Sequence, residues 1–417
     1  MAPIISSISP VQGPAAGGTA VTITGTGFTG ATGVLFGSVS AAFTVVSSTK
    51  ITATAPAGSG SVTVTVTAPG ATSNGATYSY VAAPVVSTLS PVQGPAAGGT
   101  AVTITGTGFT GATAVLFGSA SAAFTVVSST QITATAPAGS GSVSVTVTTA
   151  GGTSSGATYS YLAAPVVSTL SPVQGPGAGG NTVVITGTGF TGATAVLFGS
   201  ASAAFTVVSS TQITATAPAA PLAPVAVTVV TAGGTSNGVL YYYIPLPTVT
   251  AVSPSMGPVA GGNTVTITGT GLTLTTAVHF GPGAATGVTV VSDNQVTVQA
   301  PSGSGTVAVT VSTPGGTSLP GVGNPYYTYV ALPVINALSP AQGPVNGGTA
   351  ITITGSSLGL TKSVLIGAIA APFVAVSDAE VVATDPGGAP GPVAVTVSTP
   401  GGVSNTAAYQ LLAGPHV

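Results

Sequence analysis

The chain has 417 residues, of which only six are charged (Lys50, Lys362, Asp293, Asp378, Glu380 and Asp385), against roughly a quarter in ordinary soluble domains. With a net charge of −2, no Arg and no basic cluster, it lacks the electrostatic footprint for nucleic acid, anionic membrane or phosphate-rich partners. The absence of Cys excludes a disulfide framework and thiolate metal or redox sites.

From the N-terminus, Met1-Ala2-Pro3-Ile4-Ile5 shows no basic n-region, apolar h-region or cleavage site. The expectation is therefore export by another route, a segment of a longer chain, or no passage through the general secretory pathway. Ile4–Ile8 opens a first strand, and Val11 to Gly18 forms a long turn. Val21-Thr22-Ile23-Thr24 and Val62-Thr63-Val64-Thr65-Val66-Thr67 alternate with period two. Between them lie Val34–Phe36, Phe43–Val46 and Ile51–Ala55, and Thr77-Tyr78-Ser79-Tyr80 closes the unit. About seven short strands without helical periodicity predict an all-β, immunoglobulin-like sandwich. Val21, Ile23, Val62, Val64 and Val66 should face the core, with the intervening threonines outward.

Ser-Pro recurs at Ser9, Ser90, Ser171, Ser253 and Ser339, so the chain is five tandem copies of one unit. Residues 9–80 and 90–161 differ at 8 of 72 positions, while copies four and five have drifted and carry five of the six charges. A period near 81 residues is too long for a solenoid repeat and suits small domains strung as beads. The expected domains are 1–82, 83–163, 164–244, 245–331 and 332–417. Gly and Pro, 61 and 33 residues in all, fall between the strand runs at fixed positions, as punctuation rather than disorder. No run approaches the 18 or so apolar residues of a transmembrane helix, despite a mean hydropathy of +0.68. The linkers are short: Val81-Ala82-Ala83-Pro84 joins copies one and two, and 162–165 repeats it. Such joints leave little slack, so the sandwiches should stack end to end as a rod. At about 3.3 Å per strand residue each module adds 3–4 nm, and five make a rod on the order of 15–20 nm.

The string Ile-Ser-Pro-x-x-Gly-Pro-x-x-Gly-Gly-Thr-x-Val-Thr-Ile-Thr-Gly-x-x-Phe runs from Ile8 to Phe28, followed by Phe36-Gly37 and Ala55-Pro56. It resembles the opening of an IPT/TIG domain, the immunoglobulin-like fold shared by plexins and transcription factors. The resemblance covers all five copies, with Leu272 and Leu358 replacing the Phe in copies four and five. It implies an early-strand Ig-like sandwich of the kind found in cell-surface receptors, bacterial surface and secreted proteins, polysaccharide enzymes and DNA-binding factors. The DNA-binding members rely on Arg and Lys loops, and this chain has no Arg. The fold is thereby fixed more closely than the function.

Candidate sites are few. Gly25–Gly30, Gly106–Gly111 and Gly187–Gly192 match the dinucleotide pattern GxGxxG, but strands rather than a helix follow and no acidic residue precedes Asp293. The glycines fit a bulged turn, and no cofactor is expected. His279 takes the place of Leu35, and His416 lies in the tail; neither has a nucleophile elbow beside it. Asp378, Glu380 and Asp385 form the only acidic cluster. Without the alternating acids of a Ca²⁺ loop, they are expected in a solvated turn, and no metal site is expected. Tyr78 and Tyr80, Tyr159 and Tyr161, Tyr241, Tyr242 and Tyr243, and Tyr326, Tyr327 and Tyr329 enrich the last strand of each copy. They are expected either to pack against the next module or, if exposed, to stack on sugar rings. No Asn-x-Ser/Thr sequon occurs.

Two function classes follow. The first is a non-catalytic structural rod that self-assembles into, or decorates, an extracellular filament or particle surface. Its support is repeat identity, short linkers and β-edges almost without charged guards. The alternative is a carbohydrate-binding or adhesion array of a cell-surface protein, with polysaccharide as partner. An extracellular or cell-surface location is expected, or a place in a phage-like or other assembled particle. Copies one to three contribute one Lys and no acid, so general acid–base chemistry has no paired groups to use. An outer-membrane barrel fails on strand length and aromatic girdles.

Overall fold

The computed structural model describes residues 1–320 and 325–414. His416 lies outside the described residues. The first module consists of β1 (Ile4–Ser9), β2 (Gln12–Pro14), β3 (Ala20–Thr26), β4 (Gly33–Phe36), β5 (Val39–Ser40), β6 (Ala42–Ser47), β7 (Lys50–Thr54), β8 (Gly60–Ala68), β9 (Ala71–Thr72) and β10 (Ala76–Val81). Among the described residues the chain is all-β, and the same ten strands recur in each of the five modules. Among these residues no helix is long and apolar enough to cross a membrane.

Each module is a sandwich of two sheets. One is four-stranded in the order β1-β3-β7-β6; the other runs β2-β10-β8-β4-β5, with β9 also paired to β8. The period-two alternation builds the core as expected. Val21, Ile23, Ile51, Val34, Val64 and Val66 are fully buried, and Phe28 and Phe36 are buried in the same cluster. Thr63, on the opposite face of β8, is exposed, while Thr65 and Thr67 are half-buried. Val62 departs from this pattern, being half-buried at the margin of the core rather than inside it.

There are ten strands where seven are expected, because three pieces of apparent turn pair with neighbours. Gln12–Pro14 runs parallel to Ser79–Val81, and β5 and β9 are two-residue hairpin arms of β4 and β8. Runs of two or three residues carry no periodicity, so only pairing reveals them.

The edges differ in how they are closed. β2 is three residues long and ends in Pro14, which has no N–H to offer. On β1, the Asn74 side chain bonds the Ile5 backbone in both senses: Ile5 N–H donates to Oδ1 (2.7 Å) and Nδ2 donates to the Ile5 carbonyl (3.0 Å). Asn237 and Asn405 clamp Val167 and Ile335 in modules three and five in the same way. Ser155 and Leu319 occupy the position in modules two and four. β6 has no such closure.

Candidate functional site

Eight of the ten tyrosines singled out by the sequence are core residues of their own module. Tyr78 is fully buried and stands edge-on to Phe36 (5.1 Å, 85°) and to Tyr80 (5.1 Å, 80°). Phe117, Tyr159 and Tyr161, Phe198, Tyr241 and Tyr243, and Phe280, Tyr327 and Tyr329 repeat the stack. The side they share faces Phe36 and its equivalents, neither solvent nor the next module. Only Tyr242 and Tyr326 present a ring to solvent, at 43% and 54% exposure. Tyr409, absent from the expected set, is the fifth copy of Tyr78 and equally buried. Its spacing from Leu411 preserves the pattern with the second ring lost.

Burial pushes the phenols of Tyr80, Tyr161, Tyr243 and Tyr329 above the ordinary 10.0, and the neighbouring tyrosine adds to the shift. Tyr241 and Tyr327 are also raised by burial, partly offset by hydrogen bonds with Asn181 and Asn263. The innermost phenol oxygen is satisfied differently along the chain. Tyr78 and Tyr159 have no hydrogen-bond partner there, Tyr241 donates to Asn181 (3.0 Å), Tyr327 to Asn263 (2.7 Å) and Tyr409 to Asp385 (3.2 Å).

The acidic cluster does not stay together. Asp385 is 2% exposed, accepts from Tyr409 and from the Gly387 N–H (2.8 Å), and belongs to the core rather than a solvated turn. It replaces the Ala of the Ala55-Pro56 landmark, which is why it lies inside. Burial is the main cause that raises the Tyr409 phenol, and the Asp385 charge adds to it against the lowering bond with Thr349. Asp378 lies on an exposed turn and accepts from Gly359 N–H at 3.3 Å. Among the described residues no three His, Asp or Glu side chains are placed to hold a metal. His279 is half-buried on its strand, paired with Ala284 and Thr310. Asp293 instead accepts from the Thr273 hydroxyl (2.7 Å) and Gly271 N–H, bonds that hold its carboxyl below the usual range.

The GxGxxG string is explained by sterics. A methyl group at Gly25 would overlap the Ile4 carbonyl, and Gly27 turns the chain at φ 73° beside Pro3.

β6 is exposed along its length. In module one it runs along the open edge of the four-stranded sheet with Val45 36% and Val46 56% exposed. Phe43 is only half-buried, packed at the margin of the core. Val126 and Val127, Val207 and Val208, and Val290 and Val291 repeat the exposed pair; in module five Ala375 takes the place of Val45, and Val374 and Val376 are exposed. A register shift between Val45 and Ser47 confines the flat stretch to Ala42–Val45. Residues facing the strand end are uncharged in modules two and three, where Gln131 and Gln212 replace Lys50.

Two cavities lie at module junctions. One of about 360 Å³ is lined by Pro176, Ala220, Leu222, Ile244, Leu246 and Gly315, and one of about 250 Å³ includes Gln93, Ala163, Gly192 and Thr231. Neither has a titratable group in its lining.

Residues 3–80, 84–161, 165–243, 247–329 and 333–411 each match the model of the IPT/TIG domain. Human plexin-B3 is 33% identical over 196 residues, 43% of this chain; the match spans 10% of that protein. The structure of the full extracellular region of plexin A4 aligns with 95% of the chain and 43% of its own, at 17% identity and a TM-score of 0.31. FdeC, an Escherichia coli adhesin, aligns with 60% of this chain and 97% of its own, at 15% identity and a TM-score of 0.27.

Proposed function

The chain belongs to the IPT/TIG domain family, and on that premise we propose that it is a non-catalytic structural rod of Ig-like modules that self-assembles into, or decorates, an extracellular filament or particle surface. The observation that carries this reading is the β6 edge, open in every module and almost free of charge. Unpaired strand edges are templates for another strand, and soluble proteins ordinarily blunt them with Lys, Glu or Pro. Here the guards are hydroxyls and a bulge. Adding a strand along Ala42–Val45 would cover Phe43 and Val45, which the module's own second sheet leaves open. One four-residue contact falls far short of the roughly 1,600 Å² of a standard interface, so several edges must act together, as a repeated chain allows.

Sedimentation velocity across a concentration series, with negative-stain images of the same samples, tests the proposal. Concentration-dependent growth into filaments or bundles is expected. Monodisperse monomers at high concentration would overturn it.

A second reading, a carbohydrate-binding or adhesion array, is supported by Tyr242 and Tyr326, the two rings exposed to solvent. It predicts glycan-array binding that is lost in Tyr242→Ala and Tyr326→Ala.

A further inference from the structure

Three of the eight differences between residues 9–80 and 90–161 fall in a single turn, the one joining β8 to β9. Module one reads Ala68-Pro69-Gly70-Ala71 there, and module two reads Thr149-Ala150-Gly151-Gly152. The later modules keep the second form despite their drift: Thr231-Ala232-Gly233-Gly234, Thr313-Pro314-Gly315-Gly316 and Thr399-Pro400-Gly401-Gly402. Every module that follows another in this chain therefore carries Thr-Ala/Pro-Gly-Gly.

The geometry gives the motif a purpose. In all four turns the Thr hydroxyl accepts the N–H of the first glycine at 3.1 Å, and the second glycine has φ between 111° and 124°. The turn so formed meets the preceding module's linker. A methyl group on Gly151 would overlap the carbonyl oxygen of Ala82, and Gly233, Gly315 and Gly401 stand in the same relation to Ala163, Pro245 and Ala331. The second glycine meets the next linker residue. At Gly152 and Gly234 this is Ala83 or Ala164, with Pro14 or Pro95 of the preceding module's β2 at similar range; at Gly316 and Gly402 it is Leu246 or Leu332. Module one differs: nothing lies within 4 Å of a Cβ built on Gly70.

We infer that the Thr-Ala/Pro-Gly-Gly turn is a docking element that seats each module on the C-terminal strand and linker of the module before it. Its partner is the end of another module of the same kind, met by the first glycine through the linker backbone and by the second through the side chains beside it. Only glycine lets the turn approach the linker carbonyl, and the Thr hydroxyl holds the turn in shape for that approach. Relative motion is the default for small inter-domain contacts, and this turn removes it. The inference stands whether or not the chain self-associates.

The test exchanges the turns within the full chain. Thr149→Ala, Ala150→Pro and Gly152→Ala give module two the turn of module one, a sequence already folded in a near-identical module. The chain lacks Cys, so spin labels at Ser48→Cys and Ser129→Cys report the first junction alone. The parent should give one narrow inter-label distance. The exchanged turn, and separately Gly151→Ala, should lose that peak to a broad distribution while the unfolding midpoint of module two is retained. A narrow peak surviving both changes, or a broad distribution already in the parent, would overturn the inference.

Discussion

Replacing Ser155 with Asn should transplant onto module two the clamp that closes β1 in modules one, three and five. The modules differ little otherwise, so the substitution isolates one device. In module one the clamp is two hydrogen bonds, 2.7 Å and 3.0 Å, made by the Asn74 amide to both polar groups of Ile5. Each is worth about 1 kcal/mol net, and ordering the Asn side chain takes back a part, leaving about 1–2 kcal/mol. Because β1 is a sheet edge, water replaces the amide when it is removed, so the larger cost of a buried orphan does not apply. Hydrogen exchange resolved by peptide, on the intact chain, reads the effect locally. Peptides covering Val86 should exchange about tenfold more slowly per 1.4 kcal/mol gained, and peptides covering Ile5 should accelerate to the same degree in Asn74→Ala. Unchanged protection at Val86 in Ser155→Asn, with acceleration at Ile5 in Asn74→Ala, would show that the loop of module two cannot present the amide. No change in either would refute the clamp.

Stability should be nearly flat from about pH 6 to 9, where few groups titrate, and should fall above pH 10. The buried phenols are raised above their ordinary 10.0, so the unfolded chain loses protons first and folding weakens as pH climbs through the native values. Urea midpoints from pH 6 to 12 check this; a midpoint constant to pH 12 contradicts it. Asp385→Ala restores the residue of the other modules but removes the carboxylate that the Tyr409 phenol and the Gly387 N–H bond, and should cost module five about 1–3 kcal/mol, read by exchange in strand Ala407–Leu412. Val126→Lys with Val207→Lys should place gatekeeping charges on two β6 edges and suppress concentration-dependent assembly without lowering the unfolding midpoint. Assembly unaffected by both would move the contact elsewhere.

The architecture was legible because repetition and period two are global signals. Five Ser-Pro marks, and valines alternating with threonines on β3 and β8, suffice for tandem sandwiches. The tyrosines show the limit. Spacing of two establishes a shared side, but which side is inward depends on the opposing strand. The signal was nevertheless present, since Thr77 and Ser79 alternate with Tyr78 and Tyr80 and assign them the apolar face. Asp385 was obscured because three acids in eight residues suggest a surface turn. Its match to Ala55, a fully buried position, carried the opposite message. Asn74 and the glycine turns give no composition signal, because their roles depend on atoms some 70 residues away or in the neighbouring module.

The parallel pairing of β2 with β10 has a mechanical consequence. A stretching force along the chain enters a module through its first strands and leaves after β10, whose residues Ser79, Tyr80 and Val81 lie against Gln12, Gly13 and Pro14. Tension drags these two strands past each other lengthwise, so their bonds are loaded in shear together rather than unzipped in sequence. Forced unfolding is governed by the rate of that opening step and not by equilibrium stability. Each module is thus built to bear tension through a clasp of three residues a side, repeated five times in series.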